Sequence, residues 1–182
     1  LCEGEILQDD CAANRLMSRT TYLDIIYKKT ASLLGVSASA GALAVGTTRD
    51  KVSTMRRFGE ALGMAFQIQD DILDYTPRNH AGKPACNDLC EGKITLPLLT
   101  VLEKAPEPRR AELLDLLGRC HEDAASVERL RAAVETEGGL QTAAEVMHGY
   151  ITRAVEMLSD YEDSEYRSAL VNLCAYVAER DR

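Results

Sequence analysis

The chain has 182 residues, of which 46% are hydrophobic and 27% charged, and its formal net charge is −8. This composition is typical of one globular domain with a sizeable core, here residues 1–182, and the acidic balance argues against the basic surface that nucleic-acid binding requires. Six cysteines are scattered without a paired framework and no secretory signal opens the chain, so we expect free thiols in a reducing cytoplasm.

The chain begins Leu1-Cys2-Glu3-Gly4-Glu5, without an initiator methionine or a capping residue, which we interpret as a helix already under way. The next helical pattern runs from Met17 to Val45, and Gly46 is predicted to stop it. At about 100° per residue, Lys29 lies at the flank of its apolar stripe and Lys28 nearly opposite. We therefore expect Lys29 at the edge of a cleft and Lys28 in solvent. The candidate N-caps of the helix from Met17 to Val45 are Ser18, Thr20 or Thr21. The apolar stripe of this helix consists of Leu23, Ile26, Tyr27, Thr30, Leu33 and Leu34.

The run from Thr30 to Thr48 contains no charged residue, which raises the question of a membrane span. Its side chains are mostly small rather than strongly apolar. The run therefore predicts a tightly packed internal helix and no stable membrane anchor. One side of it, open to close approach by another helix, is lined by Ala31, Gly35, Ala38 and Ala42.

A long helical pattern then runs from about Asp50 to Tyr75. Asp70 and Asp74 lie one turn apart on it, and Asp71 is three residues from Asp74. Like charges at i,i+4 cost a helix roughly 0.2–0.5 kcal/mol per pair. Because no Lys or Arg follows on this helix to compensate the three acids, the cluster points to a cation from outside the helix.

A solvated acidic face is the commoner explanation of such a cluster. Here the acids are interleaved with apolar residues, and a lysine-rich loop from His80 to Lys93 follows the helix after Pro77. Lysines beside carboxylates fit a site where metal and phosphate charges balance. His80, Cys86 and Cys90 lack the fourth ligand and the spacing of a zinc site.

Beyond the loop, Thr95 is predicted to cap a short helix that has Pro97 in its first turn. The sequence shows no sustained alternation of apolar and polar residues with a period of two, so we expect no strands. About seven helices with short connections predict an all-α bundle. The last four predicted helices are Arg109–Arg119, Ser126–Thr136, Gly139–Leu158 and Ser164–Arg180.

One set of segments follows in a fixed order along the chain: Phe66-Gln67-Ile68-Gln69-Asp70-Asp71-Ile72-Leu73-Asp74, Gly82-Lys83, Asp88-Leu89 and Gly92-Lys93-Ile94-Thr95-Leu96-Pro97, with the pair Lys29-Thr30 upstream. This set resembles the second aspartate-rich region of the trans-isoprenyl diphosphate synthases, the polyprenyl synthetase family, and the resemblance covers roughly residues 4 to 99. It implies a helical bundle of the isoprenoid synthase type that lacks its N-terminal helices, so that the chain is the C-terminal part of a longer enzyme and is inactive alone.

The resemblance also implies a reaction, in which isopentenyl diphosphate condenses with an allylic diphosphate to give a polyprenyl product of medium or long chain and free diphosphate. The implied cofactor is Mg²⁺, with Mn²⁺ as a substitute, held directly by Asp70 and partly through water by Asp71 and Asp74. The implied catalytic residues are Asp70, Lys29 and Lys93. The implied substrate-binding residues are Lys29, Thr30, Phe66, Gln67, Lys83 and Lys93.

Two other functions stay open at this point. One is a non-catalytic subunit or a terpene-cyclase-like relative of the same fold, and the other is a structural helical module whose acids are simply solvated. The intact lysines beside the acids favour the enzyme. The family resemblance implies a homodimer that binds isopentenyl diphosphate and an allylic diphosphate, while the cysteine usage predicts a cytoplasmic location and the acidic charge predicts no nucleic-acid partner.

Overall fold

The computed structural model describes residues 1–76 and 86–180. Within these ranges it contains ten α-helices, one π-helical turn at Tyr27–Ala31 and no strand, which confirms the predicted all-α bundle. The helices are α1 Cys2–Asn14, α2 Arg19–Ile26, α3 Ser32–Ala44, α4 Arg49–Leu73, α5 Asn87–Cys90, α6 Leu96–Lys104, α7 Glu107–Arg119, α8 Ala124–Thr136, α9 Gly139–Glu156 and α10 Glu165–Glu179.

The long helix α4 lies at the centre of the bundle, where it packs against α3 on one side and against α9 and α10 on the other. Its start is stabilised by the Thr48 side chain, which accepts a hydrogen bond from the backbone N–H of Lys51, and by Asp50 in the first turn. Apolar side chains recur along its second half, and Phe58, Ala65 and Ile68 are buried in the core. The central helix therefore holds the acidic residues of its last turns in fixed positions.

The helix predicted from Met17 to Val45 is interrupted by the π-helical turn. Ser18 caps its start by accepting a hydrogen bond from the backbone N–H of Thr21 at 3.0 Å. A π turn closes i→i+5 hydrogen bonds and so shifts the register of the residues that follow. The prediction for Leu33 was wrong for this reason, because its side chain is 50% exposed instead of lying on the buried stripe.

Helices α3 and α4 approach each other so closely that their backbones touch. A Cβ atom built on Gly59 would lie 2.4 Å from the carbonyl oxygen of Leu34, and one built on Gly63 would lie 2.5 Å from the Cα atom of Ala31. The predicted close approach of a helix to Ala31 and Gly35 is therefore made by α4 of the same chain.

Several helix ends differ from the predictions by one or two residues, since end residues depend on local capping. The central helix ends at Leu73 rather than Tyr75, and Pro77 lies outside the described residues. Thr95 stands at the start of α6, as predicted, but its side chain makes no capping hydrogen bond. Among the described residues, no helix is both long and apolar enough to cross a membrane.

Candidate functional site

The candidate site lies where the last turns of α4 meet the π-helical turn and the short helix α5. The π turn packs against α4, which brings Thr30 to the same end of the bundle as the aspartates. Thr30 and Gln67, two predicted substrate-binding residues, form a direct hydrogen bond of 2.7 Å between Oγ1 of Thr30 and Oε1 of Gln67. Residues that are 37 positions apart in sequence therefore belong to one network.

Asp71 is the buried member of the acidic cluster, with only 4% of its surface exposed. Tyr22 donates its hydroxyl hydrogen bond to Oδ2 of Asp71 at 2.7 Å, and Gln67 donates from Nε2 to Oδ1 at 3.1 Å. Burial, followed by the charge of Asp88, raises the pKa of Asp71 to about 7, against the effect of these two hydrogen bonds. Oδ2 thus connects α4 to Tyr22 of α2, whereas Oδ1 is bonded within α4, and the role of Asp71 as a metal ligand stays a prediction.

This network also limits what Thr30 can do in the arrangement seen here. Its single hydroxyl proton goes to Gln67, so Thr30 can only accept further hydrogen bonds. The oxygens of an ionised diphosphate accept hydrogen bonds and donate none. To bind one directly, Thr30 must therefore turn its hydroxyl away from Gln67, while Gln67 keeps a second Nε2–H to offer.

Asp74 connects the end of α4 to the start of α5. Its Oδ1 accepts from the backbone N–H of Asn87 at 3.1 Å, its Oδ2 accepts from the N–H of Asp88 at 3.0 Å, and its carbonyl oxygen accepts from the N–H of Cys86 at 2.7 Å. Cys86 adopts a left-handed backbone conformation with φ 63° at this junction. The Asp74 carboxylate thereby fixes the chain after the loop, and its role as a metal ligand also stays a prediction.

Asp88 is a site residue that the sequence analysis did not single out, although it lies inside the family motif. The hydrogen bond from its N–H to Asp74 brings it beside the end of α4. Burial, followed by the charge of Asp74, raises the pKa of Asp88 to about 6, while the ammonium groups of Lys93 and Lys29 act in the opposite direction. Only the folding of α5 onto α4 turns Asp88 into a fourth carboxylate of the cluster.

The two predicted catalytic lysines come to this cluster from separate elements. Lys29 of the π turn donates to Oε1 of Gln8 at 3.0 Å and pairs with Glu5 at 3.1 Å. Lys93 follows α5 and pairs with Glu91 at 2.5 Å. The charges of both ammonium groups lower the pKa of Asp88, and the roles of Lys29 and Lys93 at a diphosphate stay predictions.

Two further lysines, Lys28 and Lys83, also carried predictions. Lys28 was expected in solvent, but it pairs with Glu3 at 2.8 Å and with Asp24 at 2.9 Å because α1 packs beside the π turn. The predicted substrate-binding residue Lys83 lies outside the described residues.

Asp70 is a partly exposed member of the acidic cluster, and 41% of its side chain is accessible. It forms an ion pair with Arg180, whose Nη2 lies 2.5 Å from Oδ1 of Asp70. The guanidinium group also stacks on the ring of Phe66, 3.9 Å from the ring centroid. Sequence reasoning missed Arg180, because 110 residues separate it from Asp70 and nothing in its local sequence marks the contact.

The donor set at the end of α4 fits a divalent cation. Four aspartates lie there, and burial together with the charges of neighbouring carboxylates raises the pKa of both Asp71 and Asp88. Carboxylate oxygens are the ligands that Mg²⁺ prefers, usually shared with phosphate oxygens. Within residues 1–76 and 86–180, no group of three or more His, Cys, Asp or Glu side chains is arranged so that it could hold a metal ion, and binding of a cation by these aspartates stays a prediction.

Comparison with known proteins gives a consistent result. A family model described as Polyprenyl synthetase matches residues 1–135. The chain is 33% identical to a short chain isoprenyl diphosphate synthase of Methanothermobacter thermautotrophicus, covering 100% of this chain and 55% of that protein. It is 39% identical to a prenyl transferase of Synechocystis, covering 98% of this chain and 54% of that protein. The chain thus spans about half the length of the curated relatives that it matches.

Solved structures are similar over the whole chain. A polyprenyl synthase from Caulobacter crescentus, in complex with calcium and isoprenyl diphosphate, superimposes with a TM-score of 0.90 at 34% sequence identity, covering 100% of this chain and 56% of that one. A decaprenyl diphosphate synthase from Rhodobacter capsulatus superimposes with a TM-score of 0.89 at 32% identity, with the same coverage of 100% and 56%. These similarities confirm the predicted bundle of the isoprenoid synthase type.

Proposed function

Because this chain belongs to the polyprenyl synthetase family, we propose that the protein carrying it is a prenyltransferase. It condenses isopentenyl diphosphate with an allylic diphosphate and releases inorganic diphosphate. The observation that carries the proposal is the geometry at the end of α4, where Asp74 accepts from the N–H of Asp88 and Gln67 connects Thr30 to Asp71, and where the charges of Lys29 and Lys93 lower the pKa of Asp88. Positive side chains beside an acidic cluster suit a site that binds a cation and a diphosphate together.

The two lysines act on the diphosphate leaving group. Breaking the allylic C–O bond places negative charge on the departing diphosphate, and fixed positive groups stabilise that charge in the transition state. The carboxylate partners of Lys29 and Lys93 are Glu5 and Glu91, whose side chains are 52% and 47% exposed. Because both glutamates are about half exposed, they can return to water when a diphosphate takes their place beside the two lysines.

Asp70 holds the cation directly in this proposal, and Asp71 and Asp74 act partly through water, with Asp88 adding a fourth carboxylate. When bound, Mg²⁺ or its substitute Mn²⁺ supplies Lewis-acid stabilisation of the leaving group. The calcium and isoprenyl diphosphate in the Caulobacter crescentus polyprenyl synthase support a divalent cation and a prenyl diphosphate as ligands here.

The structure argues against the two competing functions to different degrees. A module with simply solvated acids does not account for Asp71, which is 4% exposed, or for Asp74, which caps α5. A non-catalytic subunit has no need of Lys29, Thr30, Gln67 and Lys93 together at this site. The enzymatic function therefore has the stronger support.

The protein expressed from its full-length gene is the material for the test. We would incubate it with Mg²⁺, labelled isopentenyl diphosphate and allylic diphosphates of increasing chain length, and size the products. We expect elongated products that disappear when a chelator removes the metal, and their length would reveal the chain-length specificity. A full-length protein without any product would favour the non-catalytic subunit.

Substitution of Asp70 gives the sharpest single-residue test. We expect Asp70→Ala to lower kcat by about 10²–10³-fold or more, because it removes a charged group that holds the leaving-group stabiliser in place. Asp115→Ala is the matched control, since Asp115 forms an ion pair on the surface of α7 with 59% of its side chain exposed. Wild-type activity in Asp70→Ala would contradict the proposed site.

The remaining expectations concern location and partners. We propose a cytoplasmic location, and the free state of all six cysteines agrees with a reducing compartment. We also propose a homodimer.

A further inference from the structure

Arg180 follows the last residue of α10, and its side chain is only 9% exposed. Its Nη2 donates to Oδ1 of Asp70 at 2.5 Å and to the carbonyl oxygen of Phe66 at 2.9 Å. Phe66 and Asp70 are one helical turn apart, so one nitrogen of Arg180 connects the carboxylate to the backbone of its own turn. The stacking of the guanidinium group on the Phe66 ring fixes its plane.

The backbone of Arg180 is held as well. Gln69, which precedes Asp70 on α4, donates from Nε2 to the carbonyl oxygen of Arg180 at 3.0 Å. Side chain and main chain of Arg180 are therefore both tied to the same turn of α4. The Nε of Arg180 is buried and has no hydrogen-bond partner within the described residues, so the side chain keeps this position despite one unsatisfied donor.

We propose that Arg180 is a positioning residue for Asp70, and that its guanidinium group holds the carboxylate in the orientation that binds the divalent cation. This inference rests on the proposed function of Asp70. A carboxylate offers about four lone-pair sites on two oxygens, so it can accept from an arginine and bind a cation at the same time. Partners that orient a metal ligand typically change metal affinity or activity by 10–100-fold when they are removed.

An arginine that acted only as a counter-ion of Asp70 would weaken the binding of the cation instead of supporting it. A positive charge beside a cation site repels the cation, so a mere counter-ion would weaken metal binding, and its removal would strengthen it. The geometry favours positioning, because Arg180 is bound to the helical turn itself at Phe66 and is not attached to Asp70 alone.

The experiment measures how the binding of inorganic diphosphate to the full-length protein depends on the Mg²⁺ concentration, by isothermal titration calorimetry. We expect Arg180→Gln to raise the Mg²⁺ concentration for half-maximal binding by about 10–100-fold. Arg180→Lys keeps the charge without the planar stacking group, so we expect a smaller increase. If Arg180→Gln does not fold, the Mg²⁺ dependence of Arg180→Lys tests the positioning role in its place.

Arg167→Gln is the matched control, because Arg167 lies in the first turn of α10, at the opposite end from Arg180, where it pairs with Asp163 and donates to the carbonyl oxygen of Leu158. We expect its Mg²⁺ dependence to equal that of the wild type. An unchanged or lower Mg²⁺ requirement in Arg180→Gln or Arg180→Lys would overturn the positioning role while leaving the proposed function intact. A wild-type protein that binds no diphosphate with Mg²⁺ would instead overturn the proposed function, and the role of Arg180 with it.

Discussion

The three aspartates of α4 have the same side chain and three different environments. Asp70 is partly exposed and pairs with Arg180, Asp71 is buried between two hydrogen-bond donors, and Asp74 caps the next helix. A carboxylate that is half exposed can exchange its partners, whereas a buried one is fixed by them. At the scale of the residue, the acids therefore differ in how firmly the protein holds them, which fits the proposal that Asp70 binds the cation directly and that Asp71 and Asp74 act partly through water.

The hydrogen bond from Tyr22 to Asp71 predicts a measurable contribution to stability. Tyr22→Phe removes one of the two donors to a buried carboxylate, so we expect the free energy of unfolding to fall by about 1–3 kcal/mol. Urea denaturation of the full-length protein measures this change. Tyr166→Phe is the control, because Tyr166 is 76% exposed, and its effect should stay within about 0.5 kcal/mol. Equal effects of the two substitutions would contradict a structural role for the Tyr22 hydroxyl.

At the scale of the element, the contact of α3 with α4 determines where the π-helical turn lies. Gly59 and Gly63 let the backbone of α3 and of the π turn lie directly on α4. The π turn carries Lys29 and Thr30, so two small residues far from the aspartates set the position of two proposed substrate-binding residues. Short π-helical segments inside α-helices are often found at functional sites.

Two glycine substitutions test this packing. In the interior of a helix, replacing glycine by alanine stabilises the helix by about 1 kcal/mol when the new methyl group meets no other atom. At Gly63 the new Cβ would lie 2.5 Å from the Cα atom of Ala31, so the helices must move apart, and overpacking of this kind costs about 1–3 kcal/mol. We expect Gly63→Ala to lower both thermal stability and activity. Gly41→Ala, which meets no atom within 4 Å, should be neutral or stabilising and fully active.

The sign of the difference between these variants is the critical result. A Gly63→Ala protein as stable and as active as Gly41→Ala would show that α3 can move away from α4 without disturbing the π turn. It would thereby remove the proposed link between helix packing and the position of Lys29.

At the scale of the whole molecule, α3 presents an apolar stripe to solvent on the side away from α4. Leu33 and Val36 are each 50% exposed, and Leu43 is 66% exposed. These residues are spaced at i, i+3 and i+10, which places them on one face of the helix. An exposed apolar stripe of this kind indicates an interaction surface, and in the proposed homodimer it would be the two-fold interface, where the same surface of each copy packs on the other.

We expect light scattering coupled to size exclusion to show a dimer of the full-length protein, and Val36→Asp to shift it towards the monomer. The aspartate would be buried without a partner in the interface, which is strongly unfavourable. Leu173→Asp, at a 43% exposed apolar position on α10, should leave the dimer intact. A wild-type monomer, or a Val36→Asp protein that stays dimeric, would contradict this use of the α3 stripe.

The amino-acid sequence by itself determined the helices and the family motif. Helical periodicity and capping residues are encoded within one or two turns of chain, so the ends of α4 and α10 were predicted to within about two residues. The motif around Asp70 and the pair Lys29-Thr30 are equally local, and the resemblance that they carry was confirmed by the family match.

Only the tertiary structure decided which of these residues are buried, which are exposed and which distant residues they contact. The π turn moved Leu33 to the surface, the folding of α5 onto Asp74 brought in Asp88, and the end of α10 placed Arg180 on Asp70. Each of these contacts joins residues that are distant in sequence or changes a helical register. The physical reason is that burial, the pairing of charges and the pKa values that follow depend on which elements pack together, and no local pattern contains that information.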